Sequence, residues 1–159
     1  MSNSTPRTET PTATAAPSRA RTVALGGLLI ALLAIGATIT VPLGPVPFTL
    51  QTAVVVLVVL LLTPKEAALV MGGYLLVGAA GAPVFSANQG GFGVLIGPTG
   101  GFLWGFLIGA ALGSWARIAL TRADASASRR LAADIVAAVI VLAVCYVFGV
   151  IQLKGVLDL

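Results

Sequence analysis

Five stretches of the chain, 23–41, 48–63, 66–81, 99–120 and 132–152, are dominated by aliphatic and small residues with almost no charge among them. A helix needs roughly 17–25 apolar residues to cross a bilayer, so each stretch predicts a membrane-spanning helix. The second and third are short by that measure and are expected to tilt, break or re-enter. Pro64 stands between them and suits the first turn of the third helix, where a missing N–H costs nothing. Residues 1–22 are rich in Ser, Thr, Pro and Ala and carry no apolar pattern. They are expected to form a disordered tail, leaving 23–159 as one helical domain. The first run could also serve as a secretory h-region, but further spans follow it, which favours a retained helix.

Composition agrees with the pattern. The chain is 58% hydrophobic and only 9% charged, against roughly 25% charged residues in soluble domains, and its mean hydropathy is +1.06. The expected fold class is an all-α integral membrane protein, a compact bundle of five transmembrane segments with two Gly/Pro-rich outer loops. The net charge of +4 does not indicate nucleic acid, because the basic residues flank apolar runs instead of clustering on a solvated face. It indicates topology. With the N-terminus in the cytoplasm, Arg7, Arg19, Arg21, Lys65, Arg117, Arg122, Arg129 and Arg130 fall inside and only Lys154 falls outside. That distribution predicts a multi-pass plasma-membrane protein with a cytoplasmic N-terminus.

Both outer loops are unusual. The first, TVPLGPVPFTLQT (40–52), holds three prolines, and the second, FSANQGGFGVLIGPTGGF (85–102), holds six glycines and a proline. Irregular backbone is tolerated at membrane depth only where it is buried in protein or lines a cavity, so these loops read as a lid or binding wall. The same glycines would equally serve tight turns and close helix packing.

Absent motifs narrow the chemistry. GPTGG lacks the Gly-Lys-Ser/Thr ending of a phosphate loop, no G-x-S-x-G elbow occurs, there is no histidine, and no span carries an acidic pair. Cys145 is the single cysteine, so neither an intrachain disulfide nor a Cys/His metal site is expected. An enzyme is not expected, and without a mid-membrane carboxylate neither is a self-powered carrier. Uncharged recognition remains. Gln51, Tyr74, Asn88, Gln89, Thr99 and Trp104 stand at the outer ends of spans, where they could line one pocket for a largely apolar solute with an amide-like head. Taken singly, Tyr74 and Trp104 could be interfacial anchors, and Gln51 could pair with freed backbone near Pro47.

The blocks IGATITVPLGPVPFTLQT (35–52), LLTPKEAALVMGGYLLVGAAGAPVFS (61–86) and GGFGVLIGPTGGFLWGF (90–106) resemble, in order and spacing, the BioY family of biotin-specific substrate-binding (S) subunits of energy-coupling-factor transporters. The resemblance implies capture of biotin from outside, with transport powered through a transmembrane coupling subunit and ATPase subunits. ATP would then be used only by those partners, and the chain itself would need no cofactor. It also implies that Asn88 takes the ureido head of biotin, with Gln89, Gln51, Tyr74, Gly97 and Thr99 around it and Pro98 helping to shape the wall. The first-helix small-x-x-x-small motif by which such subunits dock matches Gly27 and Ala31. In one respect the sequence departs from the family, whose members usually have a sixth helix bearing an Asp-x-x-Lys pattern. Here the sequence reads VIQLKGVLDL at its end, and Lys154 and Asp158 are expected to pair or face water. The expectation is therefore a BioY-like subunit short of one helix. A small re-entrant-loop pore and a truncated, nonfunctional membrane fragment stay open as alternatives.

Overall fold

The computed structural model describes residues 19–41, 48–121 and 125–157. Of the expected disordered tail, 1–22, residues 1–18 lie outside the described residues, as do the three prolines of the first loop, Arg122, Asp124 and Asp158, whereas 19–22 are not a tail but the first turn of a helix. Six helices are described: α1 (Arg19–Thr38), α2 (Gln51–Leu61), α3 (Pro64–Ala79), the short α4 (Phe92–Ile96), α5 (Gly100–Leu120) and α6 (Ala127–Leu157). Two-residue strands β1 (Thr40–Val41) and β2 (Phe48–Thr49) pair antiparallel, with Thr40 opposite Thr49 and Val41 opposite Phe48. All five expected helices are present, and α4 sits inside the second loop.

Element ends differ from the apolar runs for local reasons. Phe48 and Thr49 are taken by the hairpin, so α2 starts only at Gln51. It stops at Leu61 because the backbone before Pro64 is driven out of the helical region, with Thr63 at ψ 161°. Thr63 then caps α3 reciprocally: its hydroxyl accepts from the Glu66 N–H, and the Glu66 carboxylate accepts from the Thr63 N–H at 3.0 Å. Pro64 opens that helix, as expected. α6 outruns its apolar stretch at both ends, since the flanking Ser-Arg-Arg-Leu and Leu-Lys segments are adequate helix formers.

Among the described residues three helices are long and apolar enough to cross a membrane: 20–38, 100–120 and 127–156. With 11 residues, α2 extends only about 16 Å, roughly half the hydrocarbon thickness. The helices alternate in direction. One end of the bundle therefore collects Arg21, Lys65, Arg117, Arg129 and Arg130, while the hairpin and the glycine-rich loop occupy the other. At the basic end Arg117 Nε donates to Asp134 Oδ1 at 2.6 Å, tying α5 to α6.

The core is aliphatic. Leu29 and Leu33 of α1, Val55, Val58 and Val59 of α2, Met71 and Tyr74 of α3, Ala110 of α5 and Val141 of α6 are all essentially inaccessible. Gly101, Gly105, Gly109 and Gly113 recur every fourth residue and turn one face of α5 onto α6. A Cβ at Gly105 would stand 2.6 Å from Cys145 Cα, one at Gly109 3.2 Å from the Val141 carbonyl oxygen, and one at Gly113 3.1 Å from that of Ala137. At Gly101 it would overlap the Phe148 carbonyl. In the reverse direction, Gly149 leaves room for the Phe102 ring. Within a bilayer helices associate through packing and not through expulsion of water, so this backbone-to-backbone seam is the main tie between α5 and α6.

Candidate functional site

The second outer loop is built on α3. Phe85, fully buried, inserts its ring where Gly78 has no side chain and meets Tyr74 edge to face at 5.5 Å. The Tyr74 hydroxyl donates to the Val84 carbonyl at 2.7 Å. Gly91 N–H donates to the Gly78 carbonyl at 2.7 Å, and Phe85 N–H to that of Gln89 at 2.9 Å. Between those anchors the chain makes a 3-10 turn, Ser86–Asn88, with Ala87 and Asn88 both left-handed at φ 56° and 57°. Asn tolerates that region well and Ala does not, so the fold holds the turn against a local cost at Ala87.

Beyond the turn, α4 and the Gly97-Pro98-Thr99 link bound a cleft of about 380 Å³, lined among others by Gln89, Gly90, Gly93, Val94, Gly97 and Thr99. That size is within the range of small-molecule sites. Of the residues predicted from the sequence, Gln89, Gly97 and Thr99 thus meet in one cavity. Asn88 adjoins it, exposed at the tip of the turn. Gln51 and Tyr74 do not line it, because both are buried in the bundle below. The Gln51 amide lies beside the Tyr74 phenol, yet its Nε2 has no partner in hydrogen-bonding geometry among the described residues. Trp104 is engaged with the loop, its Nε1 donating to the Leu95 carbonyl at 3.3 Å. Gly27 and Ala31 lie on the exposed face of α1, and a Cβ at Gly27 would meet nothing within 4 Å.

One participant was not anticipated. Gln152, on α6, reaches across to donate from Nε2 to the carbonyls of Leu95 at 3.1 Å and Gly97 at 2.8 Å. Its sequence signal is slight, a single amide closing a long apolar run. Among the described residues no cluster of three or more metal-ligating side chains occurs.

With this geometry in view, the sequence matches the profile of the BioY family over residues 7–159. The chain belongs to the BioY family. It is 51% identical over 84 residues to a protein named biotin transporter BioY of Thermotoga maritima, a match covering 53% of this chain and 50% of that one. It is 45% identical over 93 residues to biotin transporter BioY2 of Lactococcus lactis, covering 58% and 50%. The chain spans about half the length of these curated relatives. A solved structure titled as the S-component for biotin from an ECF-type ABC transporter superimposes with a TM-score of 0.76 at 21% identity, over 90% of this chain and 76% of that one. The fold of this BioY chain is therefore that of an all-helical S-component, a multi-pass membrane protein.

Proposed function

We propose that this chain captures biotin at its loop end and works as the substrate-binding subunit of an energy-coupling-factor transporter. The observation that carries the reading is the 380 Å³ cleft walled by the glycine-rich loop, in a chain of a family whose named members are biotin transporters. Biotin offers a ureido ring with two donors and one acceptor, an apolar thioether ring and a carboxylate tail. The Gln89 side chain and Thr99 suit the first, and Val94 with Pro98 suits the second. Asn88, at the tip of the adjoining turn, takes the ureido head in this reading. Tyr74 acts from below as a support of the loop, through its bond to the Val84 carbonyl, and Gln51 lies beside it.

Capture needs no cofactor in this reading. ATP is consumed by separate ATPase subunits, which work through a transmembrane coupling subunit. That subunit docks on the exposed α1 face at Gly27 and Ala31, where small residues four apart permit close helix approach. The excess of basic residues at the end opposite the cleft favours a cytoplasmic side for that end and for the N-terminus, with the cleft opening outward. Equilibrium binding of biotin to the purified chain in detergent tests the proposal. Saturable, stoichiometric retention is the expected result, and none at high micromolar biotin would overturn it.

A further inference from the structure

We infer that Gln152 is a positioning residue of the cleft, the latch by which α6 holds the wall formed by α4 and the Gly97-Pro98-Thr99 link. α4 has only five residues, Phe92–Ile96, so its terminal carbonyls find few partners along the helix itself. In a membrane protein a carbonyl left without a donor is costly. The Leu95 carbonyl is met by two side chains, Trp104 Nε1 at 3.3 Å and Gln152 Nε2 at 3.1 Å. The Gly97 carbonyl takes the Gly100 N–H at 3.0 Å and the second bond from Gln152 at 2.8 Å. One amide thus spans two carbonyls, at residues 95 and 97, and its partner Gly97 is itself a lining residue.

Two glycines keep the route open, and they make the bridge more than an incidental contact. A Cβ on Gly100 would stand 2.7 Å from Gln152 Nε2 and would overlap the Leu95 carbonyl. A Cβ on Gly101 would stand 2.7 Å from Gln152 Cβ. A larger residue at 100 would collide with the Leu95 carbonyl and the Gln152 amide together, and one at 101 with the Phe148 carbonyl and Gln152. The pairing also joins residues 55 and 57 positions apart, so a shift of α6 along its seam with α5 moves the wall of the cleft. Gln152 touches no ligand in this scheme; it fixes where the Gly97 and Thr99 backbone stands.

The test compares the full chain with Gln152→Met, which keeps length and bulk but donates no hydrogen bond. The chain has two tryptophans, Trp104 and Trp115, and only Trp104 shares the Leu95 carbonyl with Gln152. Nitrogen-15 indole spectra therefore report the latch without any ligand. The expected result is a shifted Trp104 indole resonance, an unmoved Trp115 resonance, and biotin affinity weakened about ten-fold. An unmoved Trp104 resonance, or wild-type affinity in the variant, would overturn the inference. Only the affinity arm rests on the biotin reading. If the unsubstituted chain retains no biotin, that reading falls, and the Trp104 resonance alone decides for or against the latch. Should Gln152→Met not yield folded protein, Gln152→Glu preserves the length, offers an acceptor where two carbonyls need a donor, and is judged by the same two measurements.

Discussion

Replacing Gly105 with alanine should loosen the bundle at its tightest seam. The added Cβ would stand 2.6 Å from Cys145 Cα, 3.1 Å from the Cys145 carbonyl oxygen and 3.2 Å from that of Val144. Carbon atoms pack best at about 3.5–4.0 Å, so α6 must retreat by roughly 1 Å or the new methyl must be strained. All three obstructing atoms are backbone, and none can rotate away. Alanine does gain about 1 kcal/mol of helix propensity over glycine, whereas overpacking a close-fitting interior costs about 1–3 kcal/mol. Contact with rigid backbone places the cost at the upper end, for a net loss of about 1–2 kcal/mol and a midpoint lowered by roughly 2–8 °C. Cys145, the chain's single thiol and only 4% exposed, supplies the assay: a thiol-reactive fluorophore in detergent reports opening at the very residue that Gly105 faces. Gly72→Ala is the control, since a Cβ there meets nothing within 4 Å. If Gly105→Ala melts at the wild-type temperature and its Cys145 reacts no faster, backbone contact is not what holds α5 to α6.

Three further outcomes are expected. Asn88→Gly retains the left-handed conformation at φ 57° while removing the amide, so biotin affinity should fall by about ten-fold with an unchanged melting temperature; an unchanged dissociation constant removes Asn88 from the site. Tyr74→Phe strips the Val84 carbonyl of its donor, costing about 1–2 kcal/mol in thermal unfolding, and equal melting of the two proteins would show that the phenol is not a loop support. Gly27→Leu leaves the isolated chain as stable as before, because the position is open, yet should abolish copurification with a coupling subunit; retained copurification would move the docking face elsewhere.

The helices were readable because nothing but a helix can carry apolar runs of this kind through a bilayer. Their ends were not, because the ends depend on partners. Phe48 and Thr49 continue the apolar run without a break, and only pairing with Val41 and Thr40 makes them a strand. The glycines show the same limit. Gly97 and Gly101 sit four apart, but one belongs to the cleft wall and the other to the α5–α6 seam, a distinction visible only once α6 is in place. Within the site, loop residues such as Gln89 and Thr99 could be found from their position between helices. Gln152 could not, since its two acceptors are backbone carbonyls more than fifty positions away. Tyr74 and Gln51 were placed at the correct end of the bundle but at the wrong depth for the cleft: polarity near a helix end marks a need for hydrogen bonds without saying whether backbone or ligand meets it.

That ambiguity bears on how tightly the cleft can bind. Irregular backbone between residues 84 and 97 is held by bonds from three separate helices: Tyr74 and Gly78 of α3 at Val84 and Gly91, Trp104 of α5 at Leu95, and Gln152 of α6 at Leu95 and Gly97. Each removes freedom that a ligand would otherwise have to freeze, and ordering a loop on binding detracts directly from affinity. One wall of the cleft is thus fixed before any ligand arrives. The Gln51 Nε2, buried at the start of α2 and without an acceptor among the described residues, makes no such bond. A buried donor left unmade costs about 1–3 kcal/mol, a cost recovered if an acceptor reaches it when the site is occupied. Gln51→Leu should therefore leave the ligand-free chain as stable or more so, while diminishing the stabilisation that biotin confers. A melting temperature lowered equally with and without biotin would refute that division and make Gln51 a plain structural residue.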